Sequence, residues 1–360
     1  MILPGNENRK GTASHAGKPQ PLPQRPLSHS LPLDPNLRDE LLTELKKLAS
    51  ATFDRYLPAF TQSLSPFNRA VYTQAAEECR YAEKDWYRNP HDIVVVSAMQ
   101  GLVNKESLPP WLVTAAILHD RGYGILANGN NPTASEYLQR QGAHWENRDT
   151  RLQHARLSTE YAERLVFNTL GNGSPNIIPP EDRELFLAVV EKHDHPLIGD
   201  YEALPEVGRH HFDADSLFSI SLLSFIKDYL SYCADDKKRA KAEAAGICDE
   251  GKRFTPNSLL QARIARYYPE KSDLPPGWLL KETPLNQKAL SFTEGGRCYP
   301  PHSATARHLT DSFFLDLSAC GTLLAERSSI SSFLADLEPM VSRQFDTLLR
   351  DAKAWAVRRG

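Results

Sequence analysis

From Asp39 to about residue 233, apolar residues recur at the spacing of helical turns and nowhere alternate as a half-buried strand requires. Leu41, Leu42, Leu45 and Leu48 open the pattern. It predicts helices near 39–56, 66–84, 91–104, 110–120, 151–168, 181–193 and 213–232. Breaks fall at Asn89-Pro90, Leu108-Pro109-Pro110, Gly129-Asn130-Asn131-Pro132 and Gly171-Asn172-Gly173-Ser174-Pro175. The one β-branched run, Ile93-Val94-Val95-Val96, sits inside a longer helical stripe with Val103, which favours helix. A chain of 360 residues patterned this way is expected to be all-α, with one large domain or two ordinary ones.

The flanks differ from this core of residues 37–233. Residues 1–36 hold seven of the 26 prolines and almost no apolar periodicity, so they read as a disordered tail. Beyond 233, the charge run from Asp235 to Glu243 reads as a solvated helix face. A stretch to about 301, broken by Leu274-Pro275-Pro276-Gly277-Trp278 and Glu294-Gly295-Gly296, reads as an insertion. A last helical block from about 303 to 358 completes an accessory region of residues 234–360. The net charge of −3 excludes binding to nucleic acid by bulk charge. No apolar run nears the roughly 18 residues of a membrane span, so no membrane partner is expected. Five cysteines without a C-x-x-C pair, and no signal-peptide order at the N-terminus, point to a reducing, cytoplasmic setting.

Histidine is the unevenly distributed residue: eight of 12 fall between 91 and 211. Within that stretch, Ala115-Ala116-Ile117-Leu118 leads into His119-Asp120-Arg121-Gly122-Tyr123. Burying an adjacent His and Asp behind such a run is costly unless compensated. A metal is the usual compensation, and a structural His–Asp hydrogen bond is the alternative. Neighbours on a helix diverge by about 100°, so His119 can face one metal while the two oxygens of Asp120 reach a second. His91 heads a predicted helix 28 residues upstream of His119. His154 lies on a helix with Ala155, Ser158, Tyr161, Ala162 and Leu165, and His193 ends the helix of Phe186, Val189 and Val190. Phe212-Asp213-Ala214-Asp215-Ser216-Leu217 then opens another apolar helix, completing the order H…HD…H…H…D.

Residues 88–232, roughly 145 of the 360, resemble the HD-domain superfamily of metal-dependent phosphohydrolases. His91, Ala115 to Tyr123, His154 with Ser158 and Ala162, Val190 to Pro196, and Asp213 to Leu217 carry the resemblance. It implies an HD-domain helical bundle with additional N- and C-terminal helices. It also implies a first metal on His91, His119, Asp120 and Asp215, and a second on Asp120, His154 and His193. His195 is an alternative to His193, and Asp228 to Asp215. The cofactors implied are divalent ions: Mn, Fe, Ni, Mg or Zn. The chain lacks the adjacent His pair and Gly-Tyr-Pro of the cyclic-dinucleotide members, and Tyr123-Gly124 stands where alarmone hydrolases carry Glu-Asp.

The activity implied is hydrolysis of a nucleotide or related phosphate ester, with Asp120 as the bridging ligand. Arg121 and Lys192, each beside a candidate ligand, would neutralise a phosphate unless they are merely surface charges. Asp194 or Asp213 would orient ligand imidazoles. Tyr123 would pack or touch substrate. His144 reads as surface, His210 and His211 as helix-entry residues, and His15 and His29 belong to the tail. Two other functions compete: a di-iron oxygenase resembling inositol oxygenase, which uses the same ligand order, and a catalytically degenerate sensor that binds a partner through 234–360.

Overall fold

The computed structural model describes residues 35–127, 150–170, 177–198, 200–248, 252–268, 300–326 and 329–359. Most of the proline-rich tail, His144, the turns at 129–132 and 171–175, and the 269–299 part of the insertion lie outside them. The fold is all-α, and no strand occurs among the described residues. No described helix is long and apolar enough to cross a membrane.

Three helices precede the His-Asp motif: α1 (Pro35–Ser63), α2 (Pro66–Glu78) and α3 (Arg88–Lys105). The helix α1 runs past the expected end at 56 and accommodates Pro58 within it. Ser65 caps α2, its side chain accepting from Asn68 N at 3.2 Å, with Pro66 at the first helical position. The helix α3 is buried on every side: each residue from Pro90 to Val103 is buried. The one-sided stripe of the sequence therefore understates it; a helix apolar all round belongs in the centre of a bundle. The helix α4 (Trp111–Leu118) is likewise fully buried and leads through a turn at His119-Asp120 into the short α5 (Arg121–Ala127).

The helix α6 (Thr150–Glu163) continues as a π-helical segment to Leu170 and is followed by α7 (Arg183–Lys192). The single helix expected over 213–232 is two, α8 (Glu206–Ser219) and α9 (Leu222–Ala234). Ser221 divides them, extended and accepting from Ser224 N with its side chain, as an N-cap does. The helices α10 (Asp236–Ala244) and α11 (Pro256–Tyr267) follow, the latter opened by a capping box between Thr255 and Ser258. Two long helices, α12 (Ala304–Glu326) and α13 (Ile330–Arg359), end the described chain.

The helix α3 is the axis, packed against α1, α4, α8 and α13. One apolar cluster runs without a break from Leu41 through Val96, Leu118 and Phe225 to Phe314 and Leu349. The accessory helices thus share the core that surrounds the His-Asp motif. The stack of Tyr56 on Phe345, 5.2 Å between centroids, ties α1 to α13, and Gln344 of α13 accepts the N–H of Leu222 at the start of α9.

Candidate metal centre

The ends of α3, α4, α6, α7 and α8 bring His91, His119, Asp120, His154, His193 and Asp215 together. Asp120 lies at the centre, and its two carboxylate oxygens face different imidazoles. Its Oδ2 is 3.7 Å from His91 Nε2 and 3.7 Å from His119 Nε2; its Oδ1 is 3.1 Å from His154 Nε2 and 3.6 Å from His193 Nε2. Asp215 closes the first group, with Oδ1 2.9 Å from His91 Nε2 and 3.5 Å from His119 Nε2. The result is two adjoining buried sets, His91-His119-Asp120 and Asp120-His154-His193, each compact enough to hold a metal ion.

The ring orientations suit a cation. His119 Nδ1 lies 2.9 Å from Ala116 O and His193 Nδ1 lies 2.7 Å from Val190 O. A carbonyl only accepts, so each Nδ1 carries a proton and each ring turns its Nε2 inward. The His119 Nε2 is buried without a hydrogen-bond partner, and the Nε2 atoms of His154 and His193 face one another at 3.0 Å. Nitrogens and carboxylate oxygens converging in this way call for positive charge between them. Burial opposes charge on His91 and His193, yet the surrounding carboxylates push both up to about 9. Burial likewise opposes ionisation of Asp120 and Asp215, but Arg88 and His119 hold the first, and His119 and His91 the second, well below the usual carboxylate range. The donors are nitrogen and oxygen with no thiolate, a set that divalent Zn, Mn, Fe or Ni accepts.

Gly122 positions this centre. A Cβ there would lie 1.9 Å from the carbonyl oxygen of His154, so α5 and α6 can cross only over a glycine; its N–H donates to Ser158 Oγ at 2.8 Å. The service of this glycine is close approach. Tyr123 stacks on the His154 ring, 3.8 Å between centroids and 17° apart, and the Arg88 guanidinium sits 3.3 Å over the tyrosine ring.

Several of the residues considered from the sequence lie apart from the centre. Arg121 does not face the centre: it is buried, donates to Asp92 Oδ2 at 2.7 Å and Ile117 O at 2.9 Å, and serves packing. The cation that reaches Asp120 is Arg88, which hydrogen-bonds Asp120 Oδ2. Lys192, half-buried at the end of α7, is absent from the cavity that opens over the centre. His195 lies 3.4 Å from Asp200 and outside both ligand sets. Asp228 bonds Arg263 and lies 3.2 Å from Lys227, whereas Asp215 lies beside His91. Asp213 accepts the backbone N–H of His302 rather than orienting an imidazole, and burial pushes its carboxyl up to about 7.

Two further residues lie close to the centre. Asp194 lies 3.7 Å from His154 Nε2 and 3.9 Å from His193 Nε2, on the ligand side of both rings. His211, one turn before Asp215, is fully buried with neither ring nitrogen hydrogen-bonded, and its ring contacts those of His119 and His193 at 4.9 and 6.0 Å. Comparison with protein-family models, with curated proteins and with solved structures finds no match to this chain.

Proposed function

We propose that this chain is a metal-dependent phosphohydrolase of the HD-domain kind, with a binuclear site that acts on a nucleotide or related phosphate ester. One observation carries the reading: a single buried carboxylate, Asp120, divides its two oxygens between two imidazole sets. His91, His119, Asp120 and Asp215 would hold one ion, and Asp120, His154 and His193 the other. Bound ions of this kind supply Lewis acidity toward a phosphoryl oxygen and lower the pKa of water toward neutrality.

The chain's own residues would do the rest. The backbone carbonyls of Ala116 and Val190 fix two imidazoles before any ligand arrives. Arg88, lining the cavity beside Asp120, would meet the negative charge of a phosphate oxygen with a planar fork of donors. Asp194, buried and lining the same cavity, is the carboxylate available to accept a proton from attacking water.

Metal analysis of protein purified without added metal or chelator tests this. About two equivalents per chain are expected, falling to near zero in Asp120→Ala. Nucleotides and an aryl phosphate should release phosphate with the parent protein and not with Asp120→Ala. Metal well below one equivalent, unchanged by Asp120→Ala, would refute the site. The same nitrogen and oxygen donors would also serve two irons, which is the second reading; bound iron that consumes oxygen without releasing phosphate would select it. Metal retained with neither activity would leave a binding protein.

A further inference from the structure

The cavity above the ligand cluster extends well past it, to about 540 Å³, and its outer wall is made by helices beyond the His-Asp motif. Contacts trace the path outward. The His91 ring meets Phe218 at 4.8 Å, Phe218 stacks with Tyr87, and Lys227 Nζ sits 3.9 Å over the Tyr87 ring. Beyond Lys227, the wall carries Lys238 and Lys241 from α10 and Arg263 and Arg266 from α11. Among the described residues, five cations thus line the outer wall with a single carboxylate, Asp228, which is bonded to Arg263 and close to Lys227. The other acids lining the cavity, Asp120, Asp194 and Asp215, belong to the ligand cluster.

Such a wall is unexpected in a protein whose net charge is −3. A cleft lined by one sign of charge focuses its field inward and favours a ligand of the opposite sign. The arrangement is also built by the helices. On α11, Leu259, Ala262, Arg263 and Arg266 follow the i, i+3, i+4, i+7 pattern of one face, and all line the cavity. Lys238 and Lys241 of α10 are three apart and line it together. Arg263 Nε is buried without a hydrogen-bond partner although the same side chain holds Asp228.

We infer that this outer wall is a second anion subsite, and that the natural ligand is a small molecule carrying at least one phosphate group besides the one at the ligand cluster. The inference rests on the phosphohydrolase reading for the place of the first phosphate. The wall itself recognises the others: ammonium and guanidinium groups bind phosphate oxygens, the guanidinium through paired donors. Lys238 and Lys241 therefore belong to the ligand site as well as to the solvated face that the charge run suggested. A cavity of this volume takes a nucleoside polyphosphate or a phosphorylated cyclitol.

Isothermal titration of the full chain with inorganic tripolyphosphate tests the subsite by binding. Tripolyphosphate should bind the parent protein. Binding should weaken at least about tenfold in Lys238→Gln/Lys241→Gln, roughly 1.4 kcal/mol, and similarly in Arg266→Gln. A control on α1, Lys46→Gln/Lys47→Gln, removes the same charge from an exposed site remote in sequence and should bind as the parent does. Circular dichroism melts would establish that each variant is folded. Absence of binding, binding unaffected by the wall variants, or equal weakening in the control would overturn the proposal. Binding that persists where no phosphate ester is hydrolysed would refute the phosphohydrolase reading and leave the subsite standing. Titration with adenosine triphosphate and with inositol hexakisphosphate separates the carriers: whichever exceeds tripolyphosphate identifies the scaffold that the rest of the cavity accepts.

Discussion

Gly122 gives the sharpest test at the scale of one residue. The carbonyl of His154 occupies the space where a side chain would begin, and that obstacle is backbone rather than a movable side chain. Gly122→Ala must therefore shift α5 from α6 and carry His154 away from Asp120. Overpacking of this kind costs about 3 kcal/mol. Thermal melts should show the loss of stability, and metal analysis should show depletion even in the fraction that stays folded. The candidate ligands were legible as residues because histidines and aspartates at helix ends had to converge somewhere. The cations were misread because closeness in sequence is not closeness on a helix. Arg121 and Lys192 adjoin candidate ligands, yet Arg121 bonds Asp92 and Lys192 is absent from the cavity, whereas Arg88 shares a face with His91 at i+3. His211 stands at i+4 from Asp215 on α8 by the same rule. His119 and Asp120 cooperate despite being adjacent because a turn, not a helix, holds them.

At the scale of elements, the ion pair of Asp228 with Arg263 ties α9 to α11 and frames the outer cavity. Burial raises the Asp228 carboxyl, but Lys227 and Arg263 more than offset it and hold it below the usual carboxylate range. A carboxyl depressed in the folded state contributes stability above its unfolded value, near about 3.9, and loses that contribution as pH falls through the folded value. Urea titrations between about pH 5 and 2 should therefore show the parent losing more stability than Asp228→Asn. Equal slopes would mean that the pair contributes nothing to the fold. The division between α8 and α9 was hidden because apolar residues continue across it; only Ser221, poised to cap Ser224, marks it. The charge run of α10 was hidden differently. Composition does not say which turn of an exposed helix leans over a cavity, and α11 had to be in place to supply the facing wall.

For the whole molecule, the consequential feature is the burial of α3 on every side. Part of that cover comes from α13, where Phe333, Leu337, Val341, Phe345 and Leu348 are buried in the common core. Deleting residues 330–360 should therefore expose the helix that carries His91. The expected product is aggregated, or unfolds without a cooperative transition, and holds no metal; a soluble, metal-loaded fragment would contradict this. The long amphipathic stripe of the last block was plain in the sequence, but its partner was not, because helix periodicity shows which face is buried and not what buries it.

The placement of α13 also has a consequence in time. During synthesis α3 is complete when Lys105 is added, yet the helix that covers it begins at Ile330. At about 5–20 residues per second, roughly 10 to 45 seconds of translation separate the two. Through that interval the face of the His91 helix that α13 covers lacks its native partner. The candidate ligand cluster then gains its full cover only once the residues from Ile330 onward have been made.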